Sequence, residues 1–409
     1  MKILYLLIPI SFILSINNSE GQINGCTDPL AVNYNRSATI NDGSCIYNIG
    51  NIKPLSSFIL PGALSETSGL IFWNGFIWTH NDNSDNNIYC LDTINGKIIK
   101  TYPLTGIENI DWEEISQDKD YIYLGDFGNN TGNRTDLKIY RISKISLLNE
   151  SPAIDSIGFS YSDQSDFTQT GTNETDFDCE AFVASEDSIY LFTKQWVSNK
   201  TSVYSLSKNP GNYTAKLKSS FNVDGLITGS VYLESKGIIV LSGYSETLDP
   251  FIWLLYDFKD HDFFSGNKRK IDVLLPFHQI EGIATWDGIK YYISNESFSL
   301  DLFIHVNPKL HIFDLSPFLG NYLDLSIPQP DDQNNFIISP LPAHDFITVK
   351  SLEDLLPADY IFINLSGQIV KKGRLDEDYS IINISGLASG TYIIRIGGEK
   401  KKSYKIVKD

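Results

Sequence analysis

Three glutamates, Glu113, Glu180 and Glu281, open recurring segments in which an acidic or small residue is followed by a small and then an apolar one. Carboxylates drawn together from separate segments repel one another unless they hold protons, pair with cations or bind a metal. Asp111, Asp178, Asp126 and Glu296 lie close by in sequence. The candidate metal ligands are therefore Glu113, Glu180, Glu281, Asp111, Asp178 and Glu296, an oxygen-only set that favours calcium or magnesium over zinc. A metal-bound water would need a general acid or base, for which Glu281 and Asp126 are the candidates, and His80 is the histidine to test. Alternatively, such residues only hydrogen-bond backbone groups and hold waters. There is no GxSxG elbow, HExxH pair, P-loop or GxGxxG, and the 6 histidines show no paired spacing.

The elements that would position these residues recur along the chain. Ser68-Gly69-Leu70 leads to Trp78-Thr79-His80-Asn81-Asp82, and Glu113-Glu114-Ile115 to Tyr123-Leu124-Gly125-Asp126. Glu180-Ala181-Phe182 leads to Tyr190-Leu191-Phe192-Thr193-Lys194, Thr228-Gly229-Ser230 to Val240-Leu241-Ser242-Gly243-Tyr244, and Glu281-Gly282-Ile283 to Tyr292-Ile293-Ser294-Asn295-Glu296. A third strand alternating with period two follows, as in Leu137-Lys138-Ile139-Tyr140-Arg141-Ile142. Short strands repeating every ~45–65 residues predict propeller blades, each a sheet that cannot bury its faces alone. Residues 54–325 leave room for a six-bladed β-propeller, the sixth blade assembled from Ser57-Phe58-Ile59-Leu60 and whatever follows Phe313. The opening residues would then meet around one axis.

Composition agrees with an all-β chain: aromatics reach 12% and Met occurs once in 409 residues. A formal charge of −18 argues against a nucleic-acid partner. Lys2, an apolar run over residues 3–16 and Ser19-Glu20-Gly21 read as a signal peptide, 1–21. No other stretch is long and apolar enough for a membrane span, so a transmembrane segment is not expected. Export implies an oxidising compartment in which Cys26 and Cys45, closing a polar loop, pair, while Cys90 and Cys179 read as buried thiols. Residues 81–86 and 126–134, rich in Asx and Gly, read as turns or as loops that bind an ion or glycan.

Residues 25–47, GCTDPLAVNYNRSATINDGSCIY, resemble a short motif of secreted Bacteroidetes proteins with GCTDP, NYN and DDGSC. Asp28, Asn33, Asn35 and Asp42 within it either cap their own turns or wrap a calcium ion. Residues 81–92 and 111–130 resemble a group of secreted bacterial propellers of unsettled activity, a likeness that speaks to fold more than to function. After a polar linker at 326–335, residues 336–409 are similar to the C-terminal sorting domain of the type IX secretion system. Its turn prolines are Pro340 and Pro342, its strand ends at Gly367-Gln368, and Gly390, Tyr392 and Lys405 belong to the final hairpin and Lys-rich strand. The alternation there predicts a small Ig-like β-sandwich.

These likenesses imply passage through the periplasm and delivery to the outer cell surface or medium by the type IX translocon. The expected role is a binding module for an extracellular glycan, protein or small molecule. The alternative is a metal-dependent hydrolase of lactones or phosphoesters.

Overall fold

The computed structural model describes residues 22–408 except 83–84, 170, 301–303, 321, 324–335, 352–355, 365–367 and 398–401. The expected leader (1–21) and linker (326–335) lie outside the described residues.

Period-two strands build five four-stranded antiparallel units. The first comprises Thr67–Trp73, Phe76–Asn81, Asn87–Leu91 and Ile98–Pro103; the second Trp112–Gln117, Tyr121–Asp126, Lys138–Ser143 and Ile154–Tyr161. The third holds Asp178–Ala184, Ser188–Lys194, Lys200–Ser207 and Gly211–Asn222; the fourth Leu226–Leu233, Ile238–Tyr244, Pro250–Tyr256 and Asn267–Val273. The fifth joins Ile280–Thr285, Lys290–Asn295 and Lys309–Asp314 to Ser56–Ile59, from the other end of the chain. Outermost strands of the second and third units also pair in parallel, Ile157 opposite Gly211.

Each unit's first strand packs on the first strand of the next, and Ile280–Thr285 packs back on Thr67–Trp73, so the units form a closed ring. An apolar cluster fills every gap. Trp78 and Ile122 share the cluster between the first and second units, Ile157 and Phe182 the next, and Phe192 and Phe251 that between the third and fourth. Leu254 and Ile293 share the cluster in the fourth gap, and Leu70, Ile77, Ala284 and Leu310 that in the last. Each large side chain so buried is worth about 1.5–3 kcal/mol, so a ring lacking one neighbour would expose two apolar faces.

Six blades were expected; the described residues give five. The segment containing Ser57-Phe58-Ile59 does not start a sixth sheet but is the outer strand of the fifth, Phe58 opposite Leu310. After the strand Lys309–Asp314, the described residues before the tail supply no further strand to the ring: Ser316–Leu319 is a helical turn, and Leu315 and Leu319 plug the gap between the fourth and fifth units.

The Cys26–Cys45 disulfide closes the N-terminal motif. This motif lies on the fourth unit: Asn41 Nδ2 donates to Asp257 Oδ2 at 2.7 Å, and Gly50–Ile52 adds a parallel strand beside Asn267–Val273. Gly43, at φ +74°, sits where a Cβ would come within 2.3 Å of the Ser265 carbonyl oxygen, so a side chain would lift the motif off. Cys90 and Cys179 are free and buried in different units.

At the C-terminus, Phe336–Ser339, Phe346–Ser351 and Tyr379–Asn383 form one sheet, and Ile369–Leu375, Ala358–Asn364, Gly390–Ile396 and Lys402–Lys408 another. They share a core of Ile347, Phe362, Ile394 and Ile406. The first of these sheets abuts the first unit of the ring, with Lys350 Nζ 3.0 Å from Asp92 Oδ2 and the Tyr379 ring 4.4 Å from that of Phe76. No helix among the described residues is long and apolar enough to cross a membrane.

Candidate functional site: a buried cluster of carboxylates

The five opening residues share one local geometry. In each innermost strand the pairing register shifts beside them: Ser68 falls in the shift between Thr67 and Leu70, Glu113 is skipped between Trp112 and Glu114, and Glu180 between Cys179 and Ala181. Thr228 is skipped between Ile227 and Gly229, and Glu281 lies between Ile280 and Ile283. A β-bulge turns its extra residue out of the pleat and re-aims the side chain, so the sequence repeat marks a recurring bulge at one end of the ring.

What the side chains do there differs. Ser68 Oγ donates to the Glu113 carbonyl, and Thr228 Oγ1 to the Ile280 carbonyl at 2.5 Å, each stitching its strand to the next unit. The three glutamates are buried, at 7% (Glu113), 5% (Glu180) and 8% (Glu281) exposure. Lys194 Nζ, at the end of the third unit's second strand, lies 2.8 Å from Glu180 Oε1 and over the rings of Trp196 (4.5 Å) and Tyr244 (5.5 Å). Burial works against the charge on Lys194, but Glu180, Tyr244, Glu281 and Asp178 outweigh it and hold the ammonium well above its ordinary pKa.

Beside that pair, Asp178 accepts from Asn129 N (2.6 Å) and Trp196 Nε1 (2.9 Å), yet burial and Glu180 still push its pKa up to about 7. Burial and Asp178 raise Asp111 to about 6. Burial, then Glu180, Asp111 and Asp178, push Glu113 far above the carboxylate range. Gly128 makes room for this meeting, because a Cβ there would stand 2.2 Å from Glu113 Oε1 and 2.3 Å from Asp111 Oδ2. On the other side, burial and Glu296 raise Glu281, while burial, Asp82 and Glu66 lift Glu296 to about 8. Neither Glu113 nor Glu281 has a hydrogen-bond donor on its carboxylate among the described residues.

The six expected metal ligands thus meet in one field of charge but not in one coordination sphere. Among the described residues, the group whose ligand atoms all lie within 4.8 Å of one another is Glu66, Asp82 and Glu296. Asp126 is engaged: Arg134 Nη2 lies 3.0 Å from its Oδ1 and Lys138 Nζ 3.8 Å from its Oδ2. His80 is fully buried, its Nδ1 3.1 Å from the Asn81 carbonyl, and burial lowers its pKa to about 4, leaving it neutral.

In the N-terminal motif, Asp28 accepts from Leu30 N, Tyr47 Oη and Tyr256 Oη, Asn33 from Ile46 N, Asn35 from Ser37 N and Asp42 from Ser44 N. These oxygens serve turns and docking. In the tail, Pro340 and Pro342 precede the strand Phe346–Ser351. Gly390 opens the strand Gly390–Ile396, the buried Tyr392 donates to the Ala388 carbonyl at 2.7 Å, and Lys405 is exposed on the last strand. Gly367 lies outside the described residues.

Sequence reasoning did not assign Lys194, Glu66, Asp82 or Glu114 to the site. For Lys194 and Asp82 the signal was the matching end of each second strand, where Asp82, Asp126, Lys194, Tyr244 and Glu296 stand; Glu66 and Glu114 carried no such repeat. Glu114, fully buried, accepts from Ser230 N of the fourth unit (2.8 Å) and from Ile115 N (3.0 Å), tying the second unit to the fourth across the ring.

Residues 338–409 match the family model described as a secretion system C-terminal sorting domain. No curated protein matches the chain. Among solved structures it is similar to PorZ, a surface component of the type-IX secretion system of Porphyromonas gingivalis, at 11% identity over 84% of this chain and 45% of that chain, TM-score 0.33. It is also similar to the extracellular domain of the one-component system BT4673 from B. thetaiotaomicron (11% identity, 88% of this chain and 60% of that chain, TM-score 0.31). The WD40 repeats of RRP9 give 8% identity over 61% and 67%, TM-score 0.30. The chain spans less than half the length of PorZ, and overlaps this loose carry no argument about activity. Residues 338–409 are a type IX secretion C-terminal sorting domain, and the chain is exported to the cell surface or the extracellular space.

Proposed function

We propose that the exported chain is a five-bladed β-propeller with an Ig-like sandwich tail that acts as a binding module, taking a positively charged group of an extracellular ligand at its carboxylate-lined mouth. One observation carries this reading: Asp111, Glu113, Asp178, Glu180, Glu281 and Glu296 influence one another's ionisation around the Lys194 ammonium, with the Arg134 guanidinium acting on Asp111. An entering cation lets carboxyls that hold protons ionise, and a recessed field of one sign attracts such a ligand. Calorimetric titration with spermidine at pH 7.5 in chelator tests it. Binding should release protons, weaken as salt rises, and fall about tenfold or more in Glu113→Gln, since a hydrogen bond to a charged group is worth about 1.5–3 kcal/mol. No heat of binding, or heat unaffected by Glu113→Gln, would remove the proposal.

The alternative, a metal-dependent hydrolase, is favoured by one feature: Asp111 at about 6 and Asp178 at about 7 are poised to exchange protons near neutral pH. Turnover of a model lactone or phosphoester, lost in Glu281→Gln, would select it.

A further inference from the structure

The ring closes where its first and fifth units meet, and the carboxylates gather most tightly at that seam. Glu66 precedes the strand Thr67–Trp73, Asp82 follows Phe76–Asn81, and Glu296 follows Lys290–Asn295. Backbone bonds hold all three in place: Asp82 N donates to the Glu66 carbonyl (3.1 Å), Glu296 N to that of Gln279 (3.3 Å) and Ser297 N to that of Ser65 (2.7 Å). One oxygen from each carboxylate lies within 4.8 Å of the other two.

We infer that this seam is a calcium site, with Glu66 and Asp82 from the first unit and Glu296 from the fifth as its protein ligands. Calcium takes several protein carboxylates directly, whereas magnesium keeps several of its waters and takes one or two, so three converging carboxylates suit calcium. The donors are all carboxylate oxygens, the hard ligands calcium prefers. A second observation points the same way. Glu281, 8% exposed and without a donor on its carboxylate among the described residues, has Glu296 and Asp82 among its charged neighbours. Lys194, the cation near it, is already paired with Glu180 at 2.8 Å. Without a cation, carboxylates from the two ends of the ring push its closing seam apart; a divalent ion turns that repulsion into a clasp. Glu296 belongs both to this seam and to the proposed ligand-binding carboxylates, whereas Glu66 belongs to the seam alone, so Glu66→Gln tests the calcium site independently of ligand binding.

The test uses the full exported chain, stripped with EDTA and dialysed, then titrated with calcium chloride or magnesium chloride while binding heat and thermal unfolding are followed. The expected result is one calcium ion per chain and an unfolding temperature raised by about 5–10 °C at a hundredfold excess over the dissociation constant. Calcium affinity should fall at least about tenfold in Glu296→Gln and in Glu66→Gln, whose side chain is half-buried, and stay unchanged in Asp376→Asn, an exposed residue of the tail. Should Glu296→Gln fail to fold, Glu66→Gln alone decides. No bound calcium at millimolar concentration, or calcium affinity undiminished in Glu66→Gln, overturns the site. An equal response to magnesium overturns its assignment to calcium.

Discussion

Lys194→Met is expected to lower stability by about 3–5 kcal/mol, the usual cost of removing one partner of a buried ion pair, as measured by chemical denaturation. Both partners are nearly sealed, with side chains 6% exposed. The loss comes from stranding Glu180 beside Asp178 and Asp111 rather than from the packing of the lysine stem, and methionine keeps most of that stem's volume. Glu180→Gln in the same chain should therefore restore most of the stability. The stranded carboxyl escapes part of the penalty by taking up a proton, so the single variant should lose less at pH 6 than at pH 8. If the two substitutions destabilise additively, the lysine is not answering that carboxylate.

Gly229→Ala should destabilise by about 1–3 kcal/mol, as measured by the shift in denaturation midpoint. A Cβ at Gly229 would stand 2.0 Å from the Glu281 carbonyl oxygen, a backbone atom of the neighbouring innermost strand. Gly69 and Gly282, at the same repeat position, meet Ile115 N and the Ser68 carbonyl oxygen at 2.5 Å in the same way. Close approach of innermost strands is thus the reason glycine follows the opening residue in three of the five copies. Ala181 holds that place in the third unit. Ala181→Gly should be the milder change, about 0.5–1 kcal/mol from backbone entropy. A Gly229→Ala chain as stable as the parent would mean that the innermost strands are not so closely set.

The parts of this architecture legible in the sequence are those encoded locally. Bulged residues and the small residues after them repeat because every innermost strand has the same neighbours, so Glu113, Glu180 and Glu281 could be aligned without coordinates. The tail was readable because its turns and final hairpin are contiguous. Blade number was not, because the strand Ser56–Ile59 completes a sheet whose other three strands lie at 280–314, and nothing local in Phe58 announces Leu310 as its partner. Lys194 escaped notice for a related reason: a strand-end lysine is ordinarily solvated, and only closure of the ring buries it against Glu180. The contact of Asp28 with Tyr256 likewise joins segments whose pairing no periodicity encodes.

Convergence of the carboxyls in a buried mouth is the claim on which the rest depends, and stability as a function of pH in chelator tests it most directly. Unfolded, these groups have lost their protons by about pH 6. Folded, Glu113 and Glu281 keep theirs well above the ordinary range and Asp178 until about 7, so the native state binds more protons and stability falls as pH rises. The buried, neutral His80 and His311 act in the opposite sense mainly below about pH 6.5, and Lys144, which burial lowers to about 7, offsets one of the carboxyls within the window. Between pH 6.5 and 7.5 the parent chain should lose stability, and Glu113→Gln should flatten the slope by up to about 1.4 kcal/mol per pH unit, the value of one proton. A profile that is flat or rising over this window, or a slope untouched by Glu113→Gln, would contradict it.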